Sequence, residues 1–223
     1  MLLNIYFNLW KFNPNKLSLQ NFSKQSLLIQ KRKRSSSDSN KCSNEVKASA
    51  TRYNFHEECE KAINDQINKE LSAGYLYLNM ASVFSHDTIA LPGFHAMFSF
   101  NAKDEVEHAM KLVHYQNLRG GRLKLYAIQP PEEEIWNPTS AVTISLNTEK
   151  NVLDSLIKVA EKGNEHGDIN LEDFITTQFL PEQYEALKFL GSLLAQIKRV
   201  QDGEGLFMLD LDLLKTYRKK IKK

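Results

Sequence analysis

Gly120-Gly121-Arg122-Leu123-Lys124-Leu125-Tyr126-Ala127-Ile128-Gln129-Pro130-Pro131-Glu132-Glu133-Glu134-Ile135-Trp136-Asn137-Pro138 is the stretch on which the fold turns. Paired glycines stop a helix, because glycine takes the left-handed conformation that closes its last turn. Pro130-Pro131 and Asn137-Pro138 exclude helix inside the stretch, and a first-turn proline suits a new helix after it. So long a connection between helices is unusual unless the chain must travel the full length of a bundle before turning back. Upstream, the pattern predicts a helix from Pro92 to Arg119. At ~1.5 Å per residue it spans ~42 Å, a length that suits a bundle.

Working outward, the first helix is predicted to open with Asn54 as N-cap and Glu57 three residues on. Ala62, Ile63, Ile67, Leu71, Gly74 and Leu78 then recur at steps of three and four and form one apolar face, ending at Ser85-His86-Asp87. A third helix is predicted from about Thr139 to Lys162, with Val142, Leu146, Val152, Leu153, Leu156 and Ile157 apolar, broken by Gly163 and Gly167. A fourth runs from about Leu171 to Val200, with Pro181 expected to kink it. Gly203 to Gly205 set off a short fifth helix, Leu206 to about Tyr217. The fold class is therefore all-α: a four-helix bundle with one long crossover between its second and third helices, and a short C-terminal helix.

Composition narrows the classes further. The chain has 223 residues, 42% of them apolar, with 9 Gly and 6 Pro, which excludes collagen and global disorder. Cys42 and Cys59 are the only cysteines, too few for a disulfide scaffold or a cysteine-built zinc module. No run of about 18 apolar residues occurs, so no membrane-spanning helix is expected. The net charge of +2 hides an asymmetry. Residues 1–50 hold nine basic and two acidic side chains, whereas residues 51–223 hold 20 basic and 25 acidic ones. An acidic body favours metal cations over nucleic acid as partners.

The chain is thus divided into a basic extension, 1–50, and a helical body, 51–223. Residues 1–37 carry no acidic residue, many Ser and Asn, and an apolar start, Met1-Leu2-Leu3-Asn4-Ile5-Tyr6-Phe7-Asn8-Leu9-Trp10. That composition fits a mitochondrial transit peptide and fits a secretory signal less well. Lys31-Arg32-Lys33-Arg34 could serve nuclear import, and Ser35-Ser36-Ser37-Asp38-Ser39-Asn40 suits a plain disordered tail. These readings stay open.

The inward faces carry unexpected polar groups. Glu70 and Tyr77 are two helical turns apart, on the face that holds Ile63, Ile67 and Gly74. A carboxylate there must be paired or bind a cation. Within Asp104-Glu105-Val106-Glu107-His108, Glu105 and His108 stand three apart and face the same way, so both can serve one metal. Glu149 shares a face with Leu146, Val152 and Leu153, and Gln183 with Phe179, Leu187 and Leu190. One ligand-capable group on each of four helices is far more specific than any alone. Carboxylates with one imidazole suit iron or manganese.

At these residues the chain resembles the ferritins, specifically their heavy, catalytically competent subunit type, over about residues 53–217. The resemblance is carried by Ala62-Ile63-Asn64-Asp65-Gln66-Ile67-Asn68-Lys69-Glu70-Leu71, Glu105-Val106-Glu107-His108-Ala109, Gln116-Asn117-Leu118-Arg119-Gly120-Gly121-Arg122, Glu149-Lys150-Asn151-Val152 and Pro181-Glu182-Gln183. It implies a ferritin-like bundle that assembles with copies of itself, or with other ferritin subunits, into a hollow 24-subunit shell. Such shells oxidise Fe(II) with dioxygen or peroxide and store Fe(III) mineral. It further implies a di-iron site in which Glu70 and His108 bind one iron, Glu149 binds the other, and Glu105 bridges them. Gln183 would lie beside the second iron, and Tyr77 would hydrogen-bond into the site. Two cations about 3.5–4 Å apart can clamp both oxygens of one substrate. The family default is a cytoplasmic protein, with neither membrane nor specific nucleic acid as partner.

Departures from the family pattern accompany the match. Asp104 and Glu107, acidic residues placed to pass iron onward, are followed by Met110 where a further acid is usual. Glu172 and Asp173 match the acidic part of an iron inlet channel, but Thr176 stands where a second acidic ring is expected. Leu206, Asp210 and Leu214 fall on the stripe that faces a four-fold pore, and Asp210 makes that stripe less apolar than usual. His56, His86, His95, His114 and His166 lack a Glu three residues before them and read as surface or satisfied histidines. Glu132-Glu133-Glu134 reads as a solvated loop, Cys59 as a small helix residue, and Phe94, Phe98 and Phe100 as packing residues.

Three rival functions are weighed against this reading. A di-iron oxygenase or peroxidase of the rubrerythrin kind needs a second Glu-x-x-His on the fourth helix, which this chain lacks. A nucleic-acid binder would rely on Lys31 to Arg34 and the basic tail Lys215 to Lys223, where stacking aromatics are sparse. A non-catalytic shell subunit would lack part of the set of six residues.

Overall fold

The computed structural model describes residues 49–131 and 137–221, and the expectations for the basic extension and for Glu132-Glu133-Glu134 lie outside them. Among the described residues there are six helices and no strand: α1 (Glu57–Ser85), α2 (Pro92–Leu118), α3 (Pro138–Glu165), α4 (Ile169–Gln178), α5 (Leu180–Val200) and α6 (Glu204–Ile221). α1 packs on α2 and α3, α3 packs on α4 and α5, and α6 lies on α2. The predicted four-helix bundle is present, with α4 and α5 together making its fourth member and the long connection joining α2 to α3.

The core follows from the apolar spacing. Ile63, Ile67 and Tyr77 of α1 are fully covered, and Phe84 stacks on Phe98 and tilts against Phe94. Cys59 is buried, with its Sγ donating to the Lys162 carbonyl at 3.4 Å. Leu78 departs from expectation. It is 59% exposed and belongs, with Tyr75 and Leu71, to a second apolar stripe that lines an open groove against α2.

Several boundaries differ from the sequence reading, each for a local reason. The cap of α1 is His56, whose Nδ1 accepts the Glu58 N–H at 3.2 Å. Asn54 instead has a positive φ of 45° and is tied elsewhere, its amide to the Gly167 carbonyl and its own carbonyl to Arg119 Nη2. Gly163 does not end α3 but lies inside it, buried where a Cβ would press within 3.0 Å of the Glu172 N–H nitrogen. It is a contact glycine that lets α4 come close. Pro181 has no N–H to continue the helix. The chain breaks at Phe179 (φ −124°), so α4 and α5 are separate helices with Pro181 in the first turn of α5.

The largest correction concerns α6, which is longer than expected and folds back along α2. Asp210 is not free to line a pore within this subunit. It is 2% exposed, and its Oδ1 accepts the N–H groups of Gly93 at 2.8 Å and Phe94 at 3.0 Å. α2 has no side-chain cap from its own N-terminal residue, Leu91. A carboxylate remote in sequence supplies both the hydrogen bonds and the negative charge that a helix N-terminus attracts.

Asp210→Ala should therefore lower stability by about 1–2 kcal/mol, read as a shift of the urea midpoint. Gly93→Ala should cost more, because its methyl would overlap the Asp210 carbonyl and push α6 off α2. Unchanged midpoints in both variants would show that α6 does not hold this end of the bundle.

Candidate metal centre

Each helix of the bundle contributes a polar residue to one buried region. Glu70 and Tyr77 of α1 are completely covered, and Glu105 and His108 of α2, Glu149 of α3 and Gln183 of α5 are all buried. The approach of α1 to α2 is close here: a Cβ on Gly74 would lie 3.3 Å from both the Ala102 carbonyl and Glu105 Cβ. A small residue at that point brings Glu105 beside Glu70.

The six residues form two adjoining groups. In the first, ligand atoms of Glu70, Glu105 and His108 lie within 4.8 Å of one another. His108 Nδ1 is 3.5 Å from Glu105 Oε2, and Gln66 Nε2 donates to Glu70 Oε1 at 2.7 Å. In the second, Glu149 accepts from the Tyr77 hydroxyl on Oε1 and from Gln183 Nε2 on Oε2 at 3.0 Å. Tyr77 and Gln183 therefore fix the orientation of Glu149 from two sides.

The first group is incomplete as a hydrogen-bond network. Glu70 Oε2, Glu105 Oε2 and His108 Nε2 are buried without a hydrogen-bond partner. His108 Nε2 approaches Glu182 Oε2 at 3.3 Å, but this is an ion-pair distance without hydrogen-bond geometry. Among the described residues no lysine or arginine pairs with Glu70, Glu105 or Glu149. Buried polar atoms left unpaired are costly, and a buried carboxylate is more so. Three converging lone-pair donors of two carboxylates and one imidazole, with no basic partner, fit a divalent cation.

Electrostatics agree with the geometry. Burial, and then the neighbouring Glu105, hold the Glu70 carboxyl well above the usual carboxylate range. Burial, and then the Glu149 charge, push Glu105 up to about 8. Tyr77 is raised well above an ordinary phenol by burial and by Glu149, so it stays a hydrogen-bond donor. Without a metal, protons on Glu70 and Glu105 offset their burial, and a cation would take the place of those protons.

A cavity of about 370 Å³ opens onto Glu105, His108, Glu149 and Gln183. Its outer part holds Asp104 and Glu182, whose ligand atoms converge with those of His108 in a second metal-capable set. The far wall is α6, through Thr216, Tyr217 and Lys220. Tyr217 packs against Phe100 and Phe189, and burial, then Asp104, push its phenol up to about 12.

Not every sequence candidate reaches the centre. Glu107 is exposed and lines the apolar groove on another face of α2. Glu172 and Asp173 sit on α4, where their carbonyls accept from the Thr176 hydroxyl. The sequence reading missed two participants. Gln66 lies one turn before Glu70 on the same face, and this spacing was the available signal. Glu182 precedes Gln183, but only the break at Phe179 turns it toward His108.

Comparison with known proteins adds an independent result. The family profile described as "Ferritin: Ferritin-like domain" matches residues 60–200. The chain is 40% identical over 172 residues to "Soma ferritin" of Lymnaea stagnalis, covering 77% of this chain and 99% of that protein. It is 40% identical over 167 residues to "Ferritin-1 heavy chain" of Schistosoma mansoni, covering 74% of this chain and 96% of that one. It is 42% identical over 153 residues to "Ferritin, middle subunit" of Salmo salar, covering 68% and 87% respectively. A matched profile over most of the helical body and this level of identity, on a bundle with buried carboxylates on several helices, establish that the chain belongs to the ferritin family.

Proposed function

We propose that this chain stores iron and is a ferroxidase, oxidising Fe(II) at the buried centre and passing Fe(III) to a mineral held inside a 24-subunit shell. The observation that carries the reading is the set of unpartnered atoms, Glu70 Oε2, Glu105 Oε2 and His108 Nε2, gathered with no lysine or arginine pairing the carboxylates among the described residues. In this reading Glu70 and His108 hold one Fe(II), Glu149 holds the second, and Glu105 lies between them. Gln183 and Tyr77 keep Glu149 aimed. Two Fe(II) give one electron each, and dioxygen takes both with two protons to leave hydrogen peroxide. Asp104 and Glu182 offer the next ligands outward along the cavity for iron that leaves the centre. Glu172 and Asp173 would attract cations at an inlet between subunits. The basic extension, residues 1–50, is assigned no part in this chemistry.

The combined substitution Glu105→Lys and His108→Gly should abolish rapid Fe(II) oxidation, followed by absorbance of the ferric product, while size-exclusion still reports a shell. Unchanged oxidation would remove the site assignment.

The raised carboxyls also give a pH signature. Folded Glu70 and Glu105 hold protons that the unfolded chain, with ordinary carboxylates near 4.5, releases. The Glu105 contribution to metal-free stability is complete below about 4.5 and is lost as pH climbs through about 8, and the raised Glu70 acts in the same direction. Melting temperature of the metal-free protein should fall over that window, and added Mn(II) should offset the fall most at its alkaline end. A melting temperature that rises there would contradict the buried neutral pair.

A chain starting at Lys47 keeps the Arg52–Glu60 ion pair and the Ser49 hydroxyl that accepts from the Thr51 N–H. It should fold, assemble and oxidise Fe(II) like the full chain, and loss of soluble assembly would assign the extension a structural role.

A further inference from the structure

A second group of metal-capable side chains lies outside the centre, where α1 begins and α3 ends. His56 caps α1, Glu58 stands in its first turn, and His166 caps α3. Their ligand atoms lie within 4.8 Å of one another. The two imidazole rings stack at 3.7 Å between centroids, 13° from parallel. His166 Nε2 is 3.4 Å from Glu58 Oε2. We propose that His56, Glu58 and His166 form a surface site for a borderline divalent cation of the zinc class, separate in position and chemistry from the carboxylate-rich interior.

Three observations support it. The juxtaposition is held by the fold rather than by sequence proximity. Cys59 Sγ bonds to the Lys162 carbonyl, and Asn54 joins its carbonyl to Arg119, which itself grips Asp168 with two bonds of 2.9 Å. The ends of α1 and α3 are therefore pinned together beneath the two rings. Next, three residues present ligand atoms within 4.8 Å of one another, so a turn of one imidazole out of the stack brings both ring nitrogens and the Glu58 carboxylate onto a single ion. Finally, two imidazoles and one carboxylate are a recurrent zinc donor set that leaves a position for water. The second imidazole separates this set from the interior, since imidazole suits zinc, copper, nickel and iron, whereas carboxylates suit magnesium, calcium and manganese.

The same contacts define what a metal must displace. Lys162 Nζ sits 3.1 Å from Glu58 Oε2 and 2.6 Å from Glu165 Oε2. A cation at Glu58 takes the place of this ammonium, which keeps Glu165 as its partner. Ligation by His56 also gives up the hydrogen bond that its Nδ1 accepts from the Glu58 N–H. The site is therefore an exchangeable one that competes with an ion pair and a helix cap, not a closed structural clamp.

Lys162 supplies the distinguishing test. Zn(II) is titrated calorimetrically into the assembled full-length protein carrying Glu105→Lys and His108→Gly, and into the same protein with His56→Ala, His166→Ala, Lys162→Ala or His114→Ala added. The expected result is about one equivalent of zinc per chain. Either His56→Ala or His166→Ala weakens it by about tenfold or more, His114→Ala leaves it unchanged, and Lys162→Ala tightens it by freeing Glu58. Equal affinity with and without His166, or weaker binding in Lys162→Ala, would overturn the proposal. The comparison of chains with and without His166 also stands in the unblocked protein, so its outcome is separable from whether the interior binds metal.

Discussion

Two carboxylates buried against each other, with no lysine or arginine partner among the described residues, set the terms for the rest of this molecule. Glu70 and Glu105 reach one another because Gly74, where a Cβ would sit a tight 3.3 Å from Glu105 Cβ, lets α1 and α2 approach closely. Around them, Gln66 steadies one carboxylate, while Tyr77 and Gln183 steady Glu149. Such a region destabilises a bundle when no cation is bound, since apolar residues of similar volume would pack there at lower cost. The offset lies nearer the start of α2, where Phe84, Phe94, Phe98, Met80 and Met97 make a fully covered apolar cluster. The bundle thus separates into a section that holds it together and a section that is held open for charge.

The four-member bundle, the crossover and the inward polar groups were legible because they rest on local periodicity, whereas the split of the fourth member into α4 and α5 was read only as a kink. Three- and four-residue spacing is a property of one helix, so Glu70, Tyr77, Glu105, His108, Glu149 and Gln183 could each be placed on a face without knowing its neighbours. What could not be read depends on contacts across the fold. Gly163 has the composition signature of a break, yet its lack of a side chain is used to admit α4. Asn54 has the better capping chemistry, but its amide is engaged by the loop after α3, and His56 takes the position. Asp210 reads as a pore residue on its own helix. Only the packing of α6 on α2 reveals it as the missing cap of a helix far away in sequence.

The histidines illustrate the same division. His108 was identifiable from its partner three residues earlier. His56 and His166 had no such local mark, because each acquires its partner through the meeting of α1 and α3. His95 is satisfied by the Ala81 carbonyl, as a solitary histidine usually is. Interior and surface therefore present different donor chemistries, one dominated by oxygen and one by nitrogen, on the same scaffold.

The C-terminal helix joins two tasks that are usually separate. Its Asp210 completes the start of α2, and two turns later its Tyr217 walls the chamber in front of the buried carboxylates. The outward side of that helix carries Phe207 and Met208, both more than half exposed. Whatever covers those two side chains in a larger assembly also presses, through one rigid rod, on the chamber's doorway. A displacement of that one helix would therefore move the Asp210 cap and the wall of the chamber together.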